Sequence, residues 1–151
     1  MIPAAMQELI TRWRLGHIAT VTPGGRPSVS PKGTFLVVDD KTIAFGEIRS
    51  PQTVTNLTHN PECEVNFVDA FLRNGARLRG TGSMVRRDTA DFDTLLPQFE
   101  EVWGDLCDRI NLIVKINVTE VKPLSTPPYD TGATEEEMIA LYKAKFSEMY
   151  P

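Results

Sequence analysis

Apolar positions recur along the chain with two alternating periods. From Pro3 to Arg14, Met6, Leu9, Ile10 and Trp13 return at intervals of three and four, which places them on one face of an amphipathic helix that Gly16 would end. The period then shortens to two. His17 to Val21 reads as a strand, Thr22-Pro23-Gly24-Gly25-Arg26 carries the glycines of a hairpin turn, and the chain returns through Pro27 to Phe35. Thr34 to Val38 and Thr42 to Gly46 form the next hairpin around Asp39-Asp40-Lys41. In Cys63 to Val68, Cys63, Val65 and Phe67 share one face, and Glu64 and Asn66 the other. After a loop through Phe71, Arg73 and Gly75, Ala76 to Arg86 alternates Arg77, Arg79, Thr81 and Ser83 with Leu78, Gly80, Gly82 and Met84. The longest strand is Ile110 to Leu124, regular enough to predict a half-buried antiparallel strand.

Helical spacing returns at Asp88 to Val102, where Phe92, Leu95, Leu96 and Phe99 align and Pro97 marks a kink or break, followed by a loop at Trp103-Gly104-Asp105. Pro123, Pro127, Pro128, Asp130 and Gly132 predict a linker without regular structure. Thr134 to Glu137 is a capping box opening a last helix over about 134–149, with Met138, Leu141, Tyr142, Phe146 and Met149 on its face, ready to dock on the barrel or on a partner subunit. About six strands joined mostly by hairpins, without helical crossovers, predict a mainly β fold: one domain over 1–151, a small antiparallel barrel over about 15–124 and flanking helices.

Composition narrows the function. At 151 residues, with 41% apolar and 24% charged residues, the chain is large enough for a single core. A net charge of -4 without a Lys or Arg run argues against a nucleic-acid surface. Nothing approaches the roughly 20 apolar residues of a membrane span, and no basic flank precedes a long apolar run near Met1, so no membrane association and a cytoplasmic location are expected. Cys63 and Cys107 have neither zinc spacing nor a Cys-x-x-Cys motif, which predicts reduced, structural thiols and no metal site. Asn56-Leu57-Thr58 and Asn117-Val118-Thr119 match the glycosylation pattern, which means little without a secretion signal.

The stretch with the most chemistry is Gly46 to Pro61. Ser50 is placed as an N-cap, Pro51 as the first helical residue, Thr53 at the third position, and Asn60-Pro61 as the stop. A helix N-terminus flanked by Arg49, Ser50 and Thr53 could cradle a phosphate. Taken alone, the stretch reads first as an ordinary capped helix with a solvated arginine; the strand ending in Phe45-Gly46 that feeds directly into it favours the functional reading. Pro27 and Pro31 cannot both donate to a sheet ladder, so their strand either lies at a protected edge or leaves its backbone free for a flat polar ligand, with Ser28, Ser30 and Lys32 on one face. The two readings weigh evenly. Arg77 and Arg79 are either a solvated outer face or a second cationic element, and His59 suits the C-terminal dipole of its helix better than a role as a base. No Ser-His-Asp, Cys-His or paired-carboxylate set appears, and no catalytic residue is identified.

The ordered set His17-Ile18-Ala19-Thr20-Val21 with Gly25-Arg26-Pro27, Ser30-Pro31-Lys32-Gly33, Arg49-Ser50-Pro51 with Asn56-Leu57 and Asn60-Pro61, and Arg77-Leu78-Arg79-Gly80-Thr81-Gly82 resembles the pyridoxamine 5'-phosphate oxidase-related, FMN-binding split-barrel family over about Leu15 to Val85. The resemblance implies a six-stranded antiparallel Greek-key split barrel, forming a homodimer with one FMN in each of two interface clefts. It places the phosphate near Arg49, Ser50 and Thr53, and the flavin ring along Val29, Ser30, Pro31 and Lys32 and near Phe45 and Gly46. The oxidases carry an Arg-Lys pair at the start of this helix where the chain has Pro51-Gln52, which leaves Arg49 and Arg77 or Arg79 to compensate. Lys32 falls where the oxidases have a lysine near the substrate. The implied function is an FMN-dependent oxidoreductase acting on a small molecule. The alternatives are a non-catalytic flavin-binding or sensing module, or a relative that uses deazaflavin or haem.

Overall fold

In a computed structural model describing residues 1–151, helix α1 (Ala4–Trp13) precedes strands β1 (Gly16–Val21), β2 (Pro27–Lys32), β3 (Phe35–Asp39) and β4 (Thr42–Glu47). Helix α2 (Pro51–His59), strands β5 (Glu62–Val68) and β6 (Gly75–Arg86), and helix α3 (Ala90–Trp103) follow. A 3-10 turn (Gly104–Arg109), strand β7 (Leu112–Leu124), and helices α4 (Pro127–Asp130) and α5 (Glu135–Met149) complete the chain. The strands form one antiparallel sheet in the order β2-β1-β5-β6-β7-β4-β3.

The sheet has seven strands rather than six, and β2 and β3 remain its two edges. The run from Pro27 to Phe35, which reads as one strand, is divided at Gly33-Thr34: β2 pairs with β1, whereas β3 pairs with β4. Thr34 makes the break. Its hydroxyl accepts from the Gly46 N–H at 3.1 Å and donates to the Gly46 carbonyl at 2.8 Å.

The open sheet curls until its far parts touch. The Phe35 ring of edge strand β3 meets Phe45 at 5.2 Å and Phe67 of β5 at 4.9 Å, both edge to face, and all three are fully buried. Gly16 permits this approach, since a Cβ there would stand 2.6 to 2.8 Å from the two phenylalanine rings. Helix α1 therefore ends without it: Arg14 adopts the left-handed conformation at φ 52° and returns its N–H to Ile10. A bulge between Arg79 and Gly80 bends β6 against β7, and a Cβ on Gly80 would lie 2.2 Å from the Asn117 carbonyl oxygen.

Two cores result. Ile10, Ile18, Ile43, Leu57, Val65, Leu78, Val114 and Ile116 fill the curl around the phenylalanines, while Ala44, Val85, Phe92, Leu95, Phe99 and Ile113 pack between the sheet and α3. The first half of β7 is thus buried on both faces rather than half-buried, because α3 covers the side that alternation assigns to solvent. Pro97 neither kinks α3 into two helices nor breaks it, and the helix runs through to Trp103. The linker holds a four-residue helix after all, since Pro127 and Pro128 occupy first-turn positions whose N–H groups a helix leaves unpaired, and Tyr129 ties it down by donating to the Leu72 carbonyl at 2.6 Å. The capping box forms as expected, with Thr134 accepting from the Glu137 N–H at 3.2 Å and Glu137 accepting from the Thr134 N–H at 2.8 Å. Helix α5 docks through Phe146, whose ring lies 5.1 Å from Phe71.

Phe35→Ala empties a fully enclosed site between two other rings, so unfolding in urea should show a loss of about 3–5 kcal/mol.

Candidate functional site

Where β2 and β4 separate around Thr34, a cleft of about 350 Å³ opens. Ser30, Pro31, Lys32 and Gly33 form one wall, and Gly46, Ile48, Arg49 and Ser50 the other, with Leu106 and Arg109 of the 3-10 turn closing a side. The two readings of the proline strand therefore meet: β2 is an edge, paired only with β1, and its last residues line the cleft.

Lys32 is the least ordinary residue here. Only 6% of it is exposed, yet no carboxylate lies within ion-pair distance; its ammonium donates to the Ser30 hydroxyl and, at 3.5 Å, to the Pro31 carbonyl, and stands 5.8 Å from the centre of the Phe45 ring. Burial lowers its pKa, and the nearby Glu47 carboxylate raises it in partial opposition.

The start of α2 differs from the expected cap. The Ser50 hydroxyl caps no N–H of the helix. Instead Glu47, 4% exposed at the end of β4, accepts from the Ser50 N–H at 2.5 Å with one carboxylate oxygen and from the Asn111 amide at 3.1 Å with the other. The Asn111 N–H donates in turn to the Glu47 carbonyl at 2.8 Å. Pro51 has no N–H and the Thr53 N–H donates to the Ser50 carbonyl at 3.1 Å, so few backbone donors remain for a ligand at this end. What this side of the cleft offers instead is side chains: Arg49, Ser50, Lys32 and Arg109 line it.

Of the residues expected to bind a cofactor, Ser30, Pro31, Lys32, Gly46, Arg49 and Ser50 line this one cleft. Val29 is 66% exposed between them on the alternate face of β2, Phe45 lies beneath Lys32 in the core, and Thr53 is buried in α2; none of the three lines the cleft. Arg77 and Arg79 do not reach it either. Arg79 pairs with Glu64 and, at 3.2 Å, with Glu120, while Arg77 donates to the Asn66 side chain at 3.0 Å, so both serve the outer face of β5, β6 and β7. The cation that joins Arg49 is Arg109. Sequence reasoning missed it because periodicity places no element between Trp103 and Ile110, and its only signal is a basic residue just ahead of the longest strand. Glu47 and Asn111 were missed for a related reason, since their partnership links residues far apart in the chain.

Helix α2 is held in place from behind. Asn56, fully buried, donates to the Thr20 hydroxyl at 2.9 Å and accepts from the Gln52 amide at 2.7 Å, which ties the helix to β1. Both cysteines are free and buried. Burial, with Glu62 and Glu64 adding to it, pushes the Cys63 thiol up to about 12, and burial raises Cys107 as well, so neither supplies a thiolate. No group of three or more His, Cys, Asp or Glu side chains is placed to share a metal ion, and no helix is long and apolar enough to cross a membrane.

The family model described as pyridoxamine 5'-phosphate oxidase matches residues 2–126. Among solved structures, HupZ from Group A Streptococcus is 28% identical, with a TM-score of 0.72 over 83% of this chain and 96% of its own. HutZ, the haem storage protein from Vibrio cholerae, is 20% identical with a TM-score of 0.68 over 81% and 94%. An FMN-binding protein from Syntrophomonas wolfei is 14% identical with a TM-score of 0.62 over 82% and 90%. At these last two identities the likeness shows the fold alone. No curated protein matches the chain in sequence.

Two outcomes follow from the buried groups. Lys32→Met keeps the stem and removes the ammonium, so the ligand-free variant should melt above the parent protein. Because burial depresses the lysine, its charge costs stability at neutral pH and the cost fades as pH rises toward the ordinary lysine range; the gap between the two melting temperatures should narrow accordingly. A thiol reagent at pH 8 should label Cys63 and Cys107 only after denaturant is added; labelling of the native protein within minutes would contradict their assignment as inert core residues.

Proposed function

This chain belongs to the pyridoxamine 5'-phosphate oxidase family, and from that premise we propose that it is a flavoprotein, binding FMN in the Lys32–Arg49 cleft and passing electrons between it and a small molecule. The observation that carries this reading is Lys32: a lysine buried without an ion-pair partner, at the wall of a cleft that also presents Arg49 and Arg109, calls for an electron-rich ligand. The residues fit an FMN. Arg49, Arg109 and the Ser50 hydroxyl would hold its phosphate, and the cleft-lining segment Ser30 to Gly33 with the Lys32 ammonium would meet the polar edge of the ring. When bound, the flavin supplies the electron and hydride chemistry, for which the cleft has no side-chain substitute. The chain's own residues bind, orient and charge-balance it. A second copy of the chain, packed as a homodimer, would cover the open side of the cleft and exclude water.

A non-catalytic carrier or sensor is the second reading, favoured by the lack of any acid–base set in the cleft. Relatives in fold described as a haem storage protein and an FMN-binding protein make both ligand classes worth testing.

Purified protein mixed with excess FMN and freed of unbound ligand should retain flavin absorbance at one FMN per chain. The Arg49→Ala/Ser50→Ala variant should lose it, and Arg109→Ala should weaken binding by at least about tenfold, since a charge-assisted hydrogen bond contributes roughly 1.5–3 kcal/mol. Unchanged affinity in the double variant would refute the phosphate assignment. Bound flavin that is reduced by a nicotinamide cofactor and reoxidised by a defined acceptor would eliminate the carrier reading. Mass spectrometry of ligand released on denaturation separates FMN from deazaflavin and haem.

A further inference from the structure

We infer that Glu47 is the specificity-determining residue of this cleft, holding a negative charge behind its cationic end so that a ligand with a neutral or singly charged tail competes with one ending in a phosphate dianion. The inference rests on the reading that the cleft binds a flavin and names which flavins it accepts.

Glu47 is almost fully buried, and both of its carboxylate oxygens accept hydrogen bonds, one from the Ser50 N–H and one from the Asn111 amide. Two acceptors and no donor is the arrangement of an ionised carboxyl. Yet it forms no ion pair: every carboxylate that meets a cation within 4.0 Å is Glu64, Asp69 or Glu120. The Lys32 ammonium feels this charge, which raises its pKa against the effect of burial, and Lys32 lines the adjoining cleft together with Arg49 and Arg109. A ligand anion would therefore share them with Glu47. The carboxylate also takes the backbone N–H of Ser50, a donor at the start of α2 that would otherwise be available to a phosphate. Both effects act against negative charge on the ligand's tail and grow with that charge. The ring contacts with Ser30 to Gly33, including Lys32, which feels the Glu47 charge, are common to a flavin with or without the phosphate.

The test compares FMN with riboflavin, which lacks the phosphate, on the full chain and its Glu47→Gln variant by fluorescence quenching. Removing one buried like charge should shift the ratio of the two dissociation constants toward FMN by at least about tenfold, the ring contacts being common to both ligands. Glu47→Thr, an uncharged residue compatible with a strand, should shift the ratio the same way and serves if the glutamine variant folds poorly. A ratio unmoved in a folded variant overturns the inference. If the parent protein binds neither flavin, the FMN reading fails, and inorganic phosphate then decides the role of Glu47: it should raise the melting temperature of the variant more than that of the parent, and equal shifts would overturn the inference.

Discussion

Ala44 faces α3 while Ile43 and Phe45 face the curl of the sheet, so β4 has no solvent side and cannot move without disturbing two cores. The functional corner follows from that constraint. At the end of β4 the chain leaves the sheet at Glu47, turns through Ile48 and Arg49, and enters α2 at Pro51. The strand's fixed position decides where those residues point, and Thr34, bonded both ways to Gly46, holds the neighbouring edge apart at the same level. A cleft is left because β2 and β3 pair with different partners, one on each edge of the sheet. The rigidity of the strand thus supplies what a binding site needs most, donors and cations that are already in place.

Charge is distributed by the same logic. Lys32, Arg49 and Arg109 come from a strand end, a connecting turn and a 3-10 turn, and converge on one opening with no carboxylate in its lining. Arg77 and Arg79 sit on regular sheet with Glu64 and Glu120 across from them, where their pairing is exposed and contributes little to stability. Equal residue types on neighbouring elements therefore do different work: the paired arginines cover the outside of β5, β6 and β7, and the unpaired cations define the cleft.

The fold is shared with solved structures at 14 to 28% identity. Pro51 and Gln52 at the head of α2 bring no positive charge, and Glu47 adds a negative one behind it. The sheet positions the open corner, and the few side chains there, rather than the fold, set what chemistry the corner can offer.

Strand and helix positions were legible in the sequence because period-two and period-three-to-four patterning reports directly on which face is buried, and the cap at Thr134 and the stop at Asn60-Pro61 are local chemistry. The ordered motifs single out Ser30, Lys32, Arg49 and Ser50, and the fold sets all four on one cleft. Other features depend on contacts between distant parts of the chain, and no local pattern encodes them. Periodicity within 27–38 does not say that its two halves leave for opposite edges of the sheet. It does not say that α3 buries the second face of β7, that Arg109 joins Arg49, or that Glu47 takes the Ser50 N–H while the Ser50 hydroxyl caps no helical N–H. Local sequence determines what a segment can form, because backbone and side-chain preferences act over a few residues. Which segments meet is decided by packing the whole chain, and the charge of a site is the sum over all that meet there.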